Sequence, residues 1–174
     1  MIESIRNVFT GRVHTLNLEQ VRLPTGRVAE LENAHHPGGA GVVAIDDAGR
    51  VCLLRQFRHA AGGWLTELPA GKLDGGEPPL ECAQRELAEE AGVTASQWDP
   101  LGECFSSPGV LTEVIHLFLA RGLMPADAQP EEHEVFEASW VPLEEAVDLA
   151  ARGQLRDAKS LIGLLWARER LRGG

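Results

Sequence analysis

The chain has 174 residues, 44% of them apolar and 24% charged, with a formal net charge of −10. That length is ample for one domain with its own core, and the acidic balance argues against nonspecific binding to nucleic acid or anionic membrane, which needs a basic surface. The cysteines Cys52, Cys82 and Cys104 are odd in number and far apart, without a C-x-x-C pair, so neither a disulfide framework nor a zinc site is indicated.

In chain order, the opening MIESIRNVFT lacks the apolar core of a secretion signal, and no run approaches the ~18 apolar residues of a membrane span, so a cytoplasmic protein is expected. Strands are predicted over Val8–Glu19, Glu19–Leu23 and Val28–Glu32, with a turn at Leu23–Arg27, and His35–Gly39 reads as a loop. The adjacent His35 and His36 would point in opposite directions in an extended chain, which disfavours a shared metal. Gly41–Ile45 and Val51–Gln56 read as a hairpin of central strands around Asp46–Arg50, followed by a turn at Ala60–Gly63 and a strand at Trp64–Leu68. Trp64 and Phe57 are expected in the core. After an acidic helix come strands at Trp98–Phe105 and Val114–Ala120 flanking Ser106–Gly109. A polar loop then spans about Pro125 to His133, and a strand covers Val135–Val141. Helices over Leu143–Ala151 and Ala158–Leu171 close the chain, with Asp157 as N-cap of the second. Strands, a helix, strands and then helices suit an α+β sheet sandwiched by helices, in one domain over 1–174.

The most informative stretch is Gly71–Val93, GKLDGGEPPLECAQRELAEEAGV. Pro78 and Pro79 suit a first helical turn and Gly92 a stop, so a loop to about Glu77 should lead into a helix of three to four turns. Leu80, Ala83, Leu87 and Ala91 recur as a buried stripe. Glu86 and Glu90, four apart, project from one face with Glu89 beside them. Like charges at that spacing oppose the helix by about 0.2–0.5 kcal/mol per pair. A run of Glu is ordinarily a solvated face. A divalent cation would also offset the repulsion, and hard oxygen ligands favour Mg²⁺ or Mn²⁺. Fourteen of the sixteen basic residues are Arg, which suits bidentate phosphate recognition and equally reflects genome composition.

Gly71, five residues, Glu77, seven residues, then Arg85-Glu86-Leu87-x-Glu89-Glu90-x-Gly92-Val93 resembles the Nudix box at all nine fixed positions. Outside the box, Glu67-Leu68-Pro69-Ala70, Arg55-Gln56-Phe57-Arg58, Ser107-Pro108-Gly109 and Asp157-Ala158-Lys159-Ser160 are similar to the ADP-ribose pyrophosphatase subfamily. The resemblance implies a Nudix-type α/β/α sandwich with a mixed sheet. It also implies an N-terminal antiparallel strand region, about residues 1–38, used in a homodimer. The implied activity is Mg²⁺-dependent (Mn²⁺ possible) hydrolysis of the pyrophosphate of ADP-ribose or a related nucleoside diphosphate sugar, giving AMP and ribose 5-phosphate. GDP-mannose hydrolysis is the alternative within enzymes, and a non-catalytic ADP-ribose sensor the alternative from another class.

Carried over residue by residue, the resemblance implies metal ligation by Glu86, Glu90, the Ala70 carbonyl and Glu134. Glu132 is implied as general base, with Glu89 as ligand or orienter of the attacking water. Arg58, Glu67, Pro108 and Gly109 are implied at the substrate, and Gly71, Glu77, Arg85 and Gly92 as scaffold of the box. Glu132 and Glu134 lie on the acidic loop Gln129–Glu134, whose plain alternative is a solvated loop.

Overall fold

The computed structural model describes residues 1–127 and 135–173. Ten strands and three helices are assigned within them: β1 (Ile2–Thr10), β2 (Thr15–Arg22), β3 (Val28–His35), β4 (Gly39–Ala44), β5 (Arg50–Arg58), β6 (Gly63–Glu67), β7 (Ala70–Lys72), α1 (Pro79–Ala91), β8 (Val93–Phe105), β9 (Val114–Pro125), β10 (Phe136–Pro142), α2 (Leu143–Ala151) and α3 (Ala158–Arg172). They form an antiparallel sheet β1-β2-β3, an antiparallel sheet β10-β5-β6 and a mixed sheet β7-β4-β9-β8 in which β4 and β9 run parallel.

The sandwich follows from two-residue periodicity on strands buried on both faces. On β4, Val43 joins Leu53, Leu68, Val147 and Leu164 in a core layer under α2 and α3. Its neighbours Val42 and Ala44 point the other way, to Leu54, Cys82, Ala83 and Leu87 under α1. β5 divides likewise, Val51 and Leu53 to one layer, Cys52 and Leu54 to the other. This is the expected α/β/α arrangement. A Cβ on Gly163 would come within 2.8 Å of Leu68 Cδ1 and 3.2 Å of Val43 Cγ2, so the missing side chain is what seats α3 against the sheets.

Several expectations are corrected. The predicted first strand at Val8–Glu19 is two strands: Gly11 N–H donates to the His14 carbonyl at 2.8 Å, and the chain reverses there from β1 into β2. The turn at Asp46–Arg50 forms, yet β4 and β5 are not hairpin partners. They share one bridge, Ile45 to Val51, and then diverge into different sheets, because each is covered on both faces by core. Gly71 and Lys72, read as the start of a loop, form with Ala70 a short strand that pairs with β4, and β8 begins at Val93 rather than Trp98. On α1, Leu80 is exposed and Cys82 takes its place in the buried stripe. Trp64 and Phe57 are not core residues. They are a cross-strand pair at the exposed end of β5 and the start of β6, 40% (Trp64) and 48% (Phe57) exposed, ring edge to face at 5.8 Å, with Arg55 stacked 4.3 Å from the Trp64 ring.

The helix ends agree with their local signals. Pro79 opens α1, and Gly92 closes it in the left-handed region at φ 64°. Asp157 caps α3 by accepting from Ser160 N–H. No described helix is long and apolar enough to cross a membrane.

Candidate active site

The box forms around one close approach. β7 runs so near α1 that a Cβ on Gly71 would sit 1.7 Å from Glu86 Oε1. Only glycine leaves room for that carboxylate. One turn further along, Glu90 Oε2 accepts from Ala70 N–H at 2.8 Å. Glu86 and Glu90 are therefore both held against the β7 backbone, 7% and 2% exposed, on the face that also carries Ala83 and Leu87 into the core.

Arg85 braces this pair. Its Nε and Nη2 each lie 3.0 Å from a different oxygen of Glu77, the bidentate geometry that suits a guanidinium. Its Nη1 reaches Glu86 at 2.7 Å and Glu89 at 3.1 Å, and Nη2 also reaches the Lys72 carbonyl. The loop after β7 is thus tied to α1 through Glu77. The Arg85 bonds hold the Glu77 carboxyl below the usual carboxylate range, against the upward push of partial burial. Cys82 lies beneath, its thiol directed to the carbonyls of Lys72 and Gly71. Burial pushes its pKa up to about 12, so it stays a neutral packing group.

Ala70, Gly71, Lys72, Arg85, Glu86 and Glu89 line a cleft of about 610 Å³, a size typical of small-molecule sites, with Glu90 buried just behind Ala70. The same cleft is lined by Arg58 and Glu67 from β5 and β6, and by Asp157 and Lys159 from the start of α3. Arg58 bonds both oxygens of Glu67 at 3.0 Å. Burial alone would raise the Glu67 pKa, but the bonds from Arg58 and the nearby Lys159 more than offset it, and the group is held ionised. Among the described lining residues, six carboxylates (Glu67, Asp74, Glu86, Glu89, Glu113, Asp157) face four cations (Arg58, Lys72, Arg85, Lys159). A polyanion entering such a cleft needs further positive charge. Glu86 and Glu90 offer only hard oxygen atoms, and a backbone carbonyl of β7 would extend that set. This chemistry fits Mg²⁺ or Mn²⁺. Among the described residues no three His, Cys, Asp or Glu side chains form a metal cluster by themselves.

Pro108 and Gly109 lie in the exposed loop between β8 and β9 and are not in the cleft wall. Ser106 and Glu113, at the two ends of that loop, are. Glu132 and Glu134 fall outside the described residues. His35 and His36 separate as the extended chain requires. His35 meets Glu19 at 2.6 Å, while His36 lies 3.3 Å from Glu113 on the cleft side. Sequence reasoning missed Lys159 and Glu113 as cleft residues. Lys159 had a usable signal, a lysine in the first turn of a helix, where the macrodipole disfavours a cation.

The Nudix domain model matches residues 35–162. The ADP-ribose pyrophosphatase of Bacillus subtilis (strain 168) is 38% identical over 155 residues, covering 88% of this chain and 84% of that protein. The ADP-ribose pyrophosphatase of Mycobacterium tuberculosis (strain ATCC 25618 / H37Rv) is 37% identical over 165 residues, covering 93% and 80%. A crystal structure of an ADP compounds hydrolase superposes with a TM-score of 0.85 over 99% of this chain and 94% of that one, at 23% identity, and so shares the fold.

Two substitutions test the geometry. Gly71→Ala should leave the fold intact but push the Glu86 carboxylate aside, weakening Mn²⁺ binding by about tenfold or more in a relaxation titration; unchanged affinity would detach Gly71 from the carboxylate pair. Glu77→Gln should lower the melting temperature at pH 7. Because the Glu77 pKa is depressed in the fold, its contribution is complete above the unfolded value near ~4.3 and is lost as pH falls through the folded value. The gap between the two proteins should therefore close in acid; a gap constant from pH 7 to pH 3 would assign the loss to packing instead. The box of Gly71–Val93 stands folded inside the 128 residues matched by the domain model, and the chain belongs to the Nudix family.

Proposed function

We propose that this protein hydrolyses the pyrophosphate of ADP-ribose, or of a closely related nucleoside diphosphate sugar, with the help of a divalent cation. The observation that carries this is the cleft itself, lined by Glu86, with Glu90 held behind it on the β7 backbone, and by the Arg58–Glu67–Lys159 group. Relatives that bear the name ADP-ribose pyrophosphatase over most of the chain support the substrate. In this reading Glu86, Glu90 and the Ala70 carbonyl hold the cation, with Glu134 as a further ligand. When bound, it supplies positive charge to the diphosphate and acidifies the attacking water. Mg²⁺ is the expected ion, with Mn²⁺ as substitute.

The protein's own groups do the rest. Arg58 binds a phosphate and keeps the diphosphate in line. Glu89 orients the water, and Glu132 takes its proton as the oxygen bonds to phosphorus and the bridging oxygen leaves. For ADP-ribose the products are AMP and ribose 5-phosphate. Glu67, Pro108 and Gly109 complete the substrate side, Glu67 through Arg58 and the other two through the loop they form with Ser106 and Glu113. GDP-mannose is the second reading, supported by relatives named GDP-mannose pyrophosphatase. The intact set of box glutamates argues against a sensor that binds without cutting. A cytoplasmic location completes the reading.

The same proposal includes a homodimer built on the N-terminal strands. All of β1 is exposed, and Ile2, Ile5, Val8 and Phe9 are each at least half exposed on it. Apolar groups concentrated on an edge strand are usually covered by a partner. Sedimentation equilibrium should return twice the chain mass; a monomer at micromolar concentration would remove this part.

The central test follows products by chromatography after incubation with ADP-ribose, GDP-mannose and other nucleoside diphosphate derivatives plus Mg²⁺. AMP should appear from ADP-ribose and vanish with EDTA, and Glu90→Gln should lower turnover by about a hundredfold or more with the fold retained. Preferential GMP release from GDP-mannose would move the substrate, and binding without turnover would mean a sensor.

A further inference from the structure

Lys159 occupies a position that local rules disfavour. It lies in the first turn of α3, two residues after the Asp157 cap, where the helix dipole opposes a cation. Its side chain is only 11% exposed. What holds it there is a pair of carboxylates. Its Nζ lies 2.5 Å from Glu67 Oε2 and 3.0 Å from Asp157 Oδ2. The Asp157 oxygen also accepts from Ser160 N–H at 3.0 Å and from the Ser160 hydroxyl at 2.5 Å. Ser160 Oγ in turn accepts from Leu68 N–H at 2.8 Å. The helix start is thus tied to two consecutive residues of the segment that leads into β7, from 92 positions away in sequence.

The charges matter more than the tether. Glu67 is 2% exposed and carries a full negative charge beside Arg58. Arg58 directs Nε and one Nη2 hydrogen to it, and among the described residues no hydrogen bond to Nη1 is seen, which leaves that end of the guanidinium to meet a ligand. A guanidinium paired with a carboxylate is close to neutral as seen from the cleft, and a neutral pair attracts a diphosphate poorly. Lys159 supplies the second positive charge that Glu67 must otherwise draw wholly from Arg58. Without it the wall would hold two carboxylates, Glu67 and Asp157, against one guanidinium, in a cleft whose described acids already outnumber its cations.

We propose that Lys159 is a positioning residue for the substrate's diphosphate: it shares the Oε2 oxygen of Glu67 with Arg58 and so neutralises part of that charge, leaving Arg58 both its orientation and its positive field toward the cleft. This rests on the pyrophosphatase reading and extends it to a residue that acts through Glu67 and Arg58. Its effect belongs to substrate binding rather than to the chemical step.

The test compares wild type with Lys159→Met, Lys159→Arg, Glu67→Gln and the Lys159→Met/Glu67→Gln double variant. Steady-state kinetics with ADP-ribose and calorimetric titration of ADP-ribose in EDTA, where no turnover occurs, give the readouts. Lys159→Met should raise KM and weaken metal-free binding by about tenfold while kcat stays within about threefold, and Lys159→Arg should recover most of the loss. In the Glu67→Gln background the charge that draws on Arg58 is gone and only Asp157 stays beside Lys159, so Lys159→Met should cost less than about twofold there. Lys159→Gln, uncharged but still able to bond both carboxylates, gives the same comparison if Lys159→Met does not fold. Unchanged KM and affinity in Lys159→Met beside an active wild type would overturn the positioning role alone. So would an equal loss in both Glu67 backgrounds, which would mark a merely structural contact. A wild-type protein that neither binds nor cleaves ADP-ribose would overturn the pyrophosphatase reading, and this role with it.

Discussion

Everything in the site depends on how close β7 comes to α1. The Glu86 carboxylate occupies the space where a side chain at 71 would be, and Glu90 is held one turn along by the Ala70 amide. Two like charges four residues apart on one helix face repel, and both are withdrawn from water. The fold tolerates this because Arg85 places one guanidinium among Glu77, Glu86 and Glu89, and because a β7 amide takes one oxygen of Glu90. The strain of gathering acids is thus met locally, by one cation and backbone dipoles, and the same crowding makes the pair a strong oxygen-donor set.

The layered core makes that approach reproducible. β4 and β5 each send alternate residues into two hydrophobic layers, so neither strand can shift register without moving its whole apolar set to the wrong side. β7 pairs with β4 through Gly39–Gly41, and α1 packs Cys82, Ala83 and Leu87 on the same layer. The carboxylates of α1 consequently meet β7 at a fixed height. On the other side α3 comes close to the sheets at Gly163, which brings the Asp157–Ser160 turn within reach of Glu67 and Leu68. The two walls of the cleft are built by opposite layers of one sandwich.

Much of this was readable along the chain because the signals are local. Pro79, Gly92 and Asp157 mark helix ends through backbone geometry that spans a few residues. The alternation on Gly41–Ile45 and Val51–Gln56 identifies both as core strands. It does not say that they part company after one bridge, since a turn constrains its two ends but not what covers the strands beyond it. The periodicity of α1 places Leu80 in the buried stripe, where the fold puts Cys82, for a related reason. Helical periodicity gives a face, and the neighbour that is packed against that face decides where the buried arc begins and ends. Phe57 and Trp64 satisfied every compositional expectation of core residues, yet they sit near the end of β5 and the start of β6, past the stretch 51–54 that the core covers.

By itself, then, the sequence determined the box. The spacing of Gly71, Glu77, Arg85, Glu86, Glu89 and Glu90 puts glycine, brace and carboxylates on successive turns of a single helix and the loop before it, within reach of local rules. The tertiary structure alone decided that Glu67 is neutralised by two cations, Arg58 nine residues before it and Lys159 ninety-two residues after it. It also decided that Ser106 and Glu113, rather than Pro108 and Gly109, form the cleft wall. Buried charges choose partners by distance after the layers have closed, and no periodicity in the chain records which layers will meet.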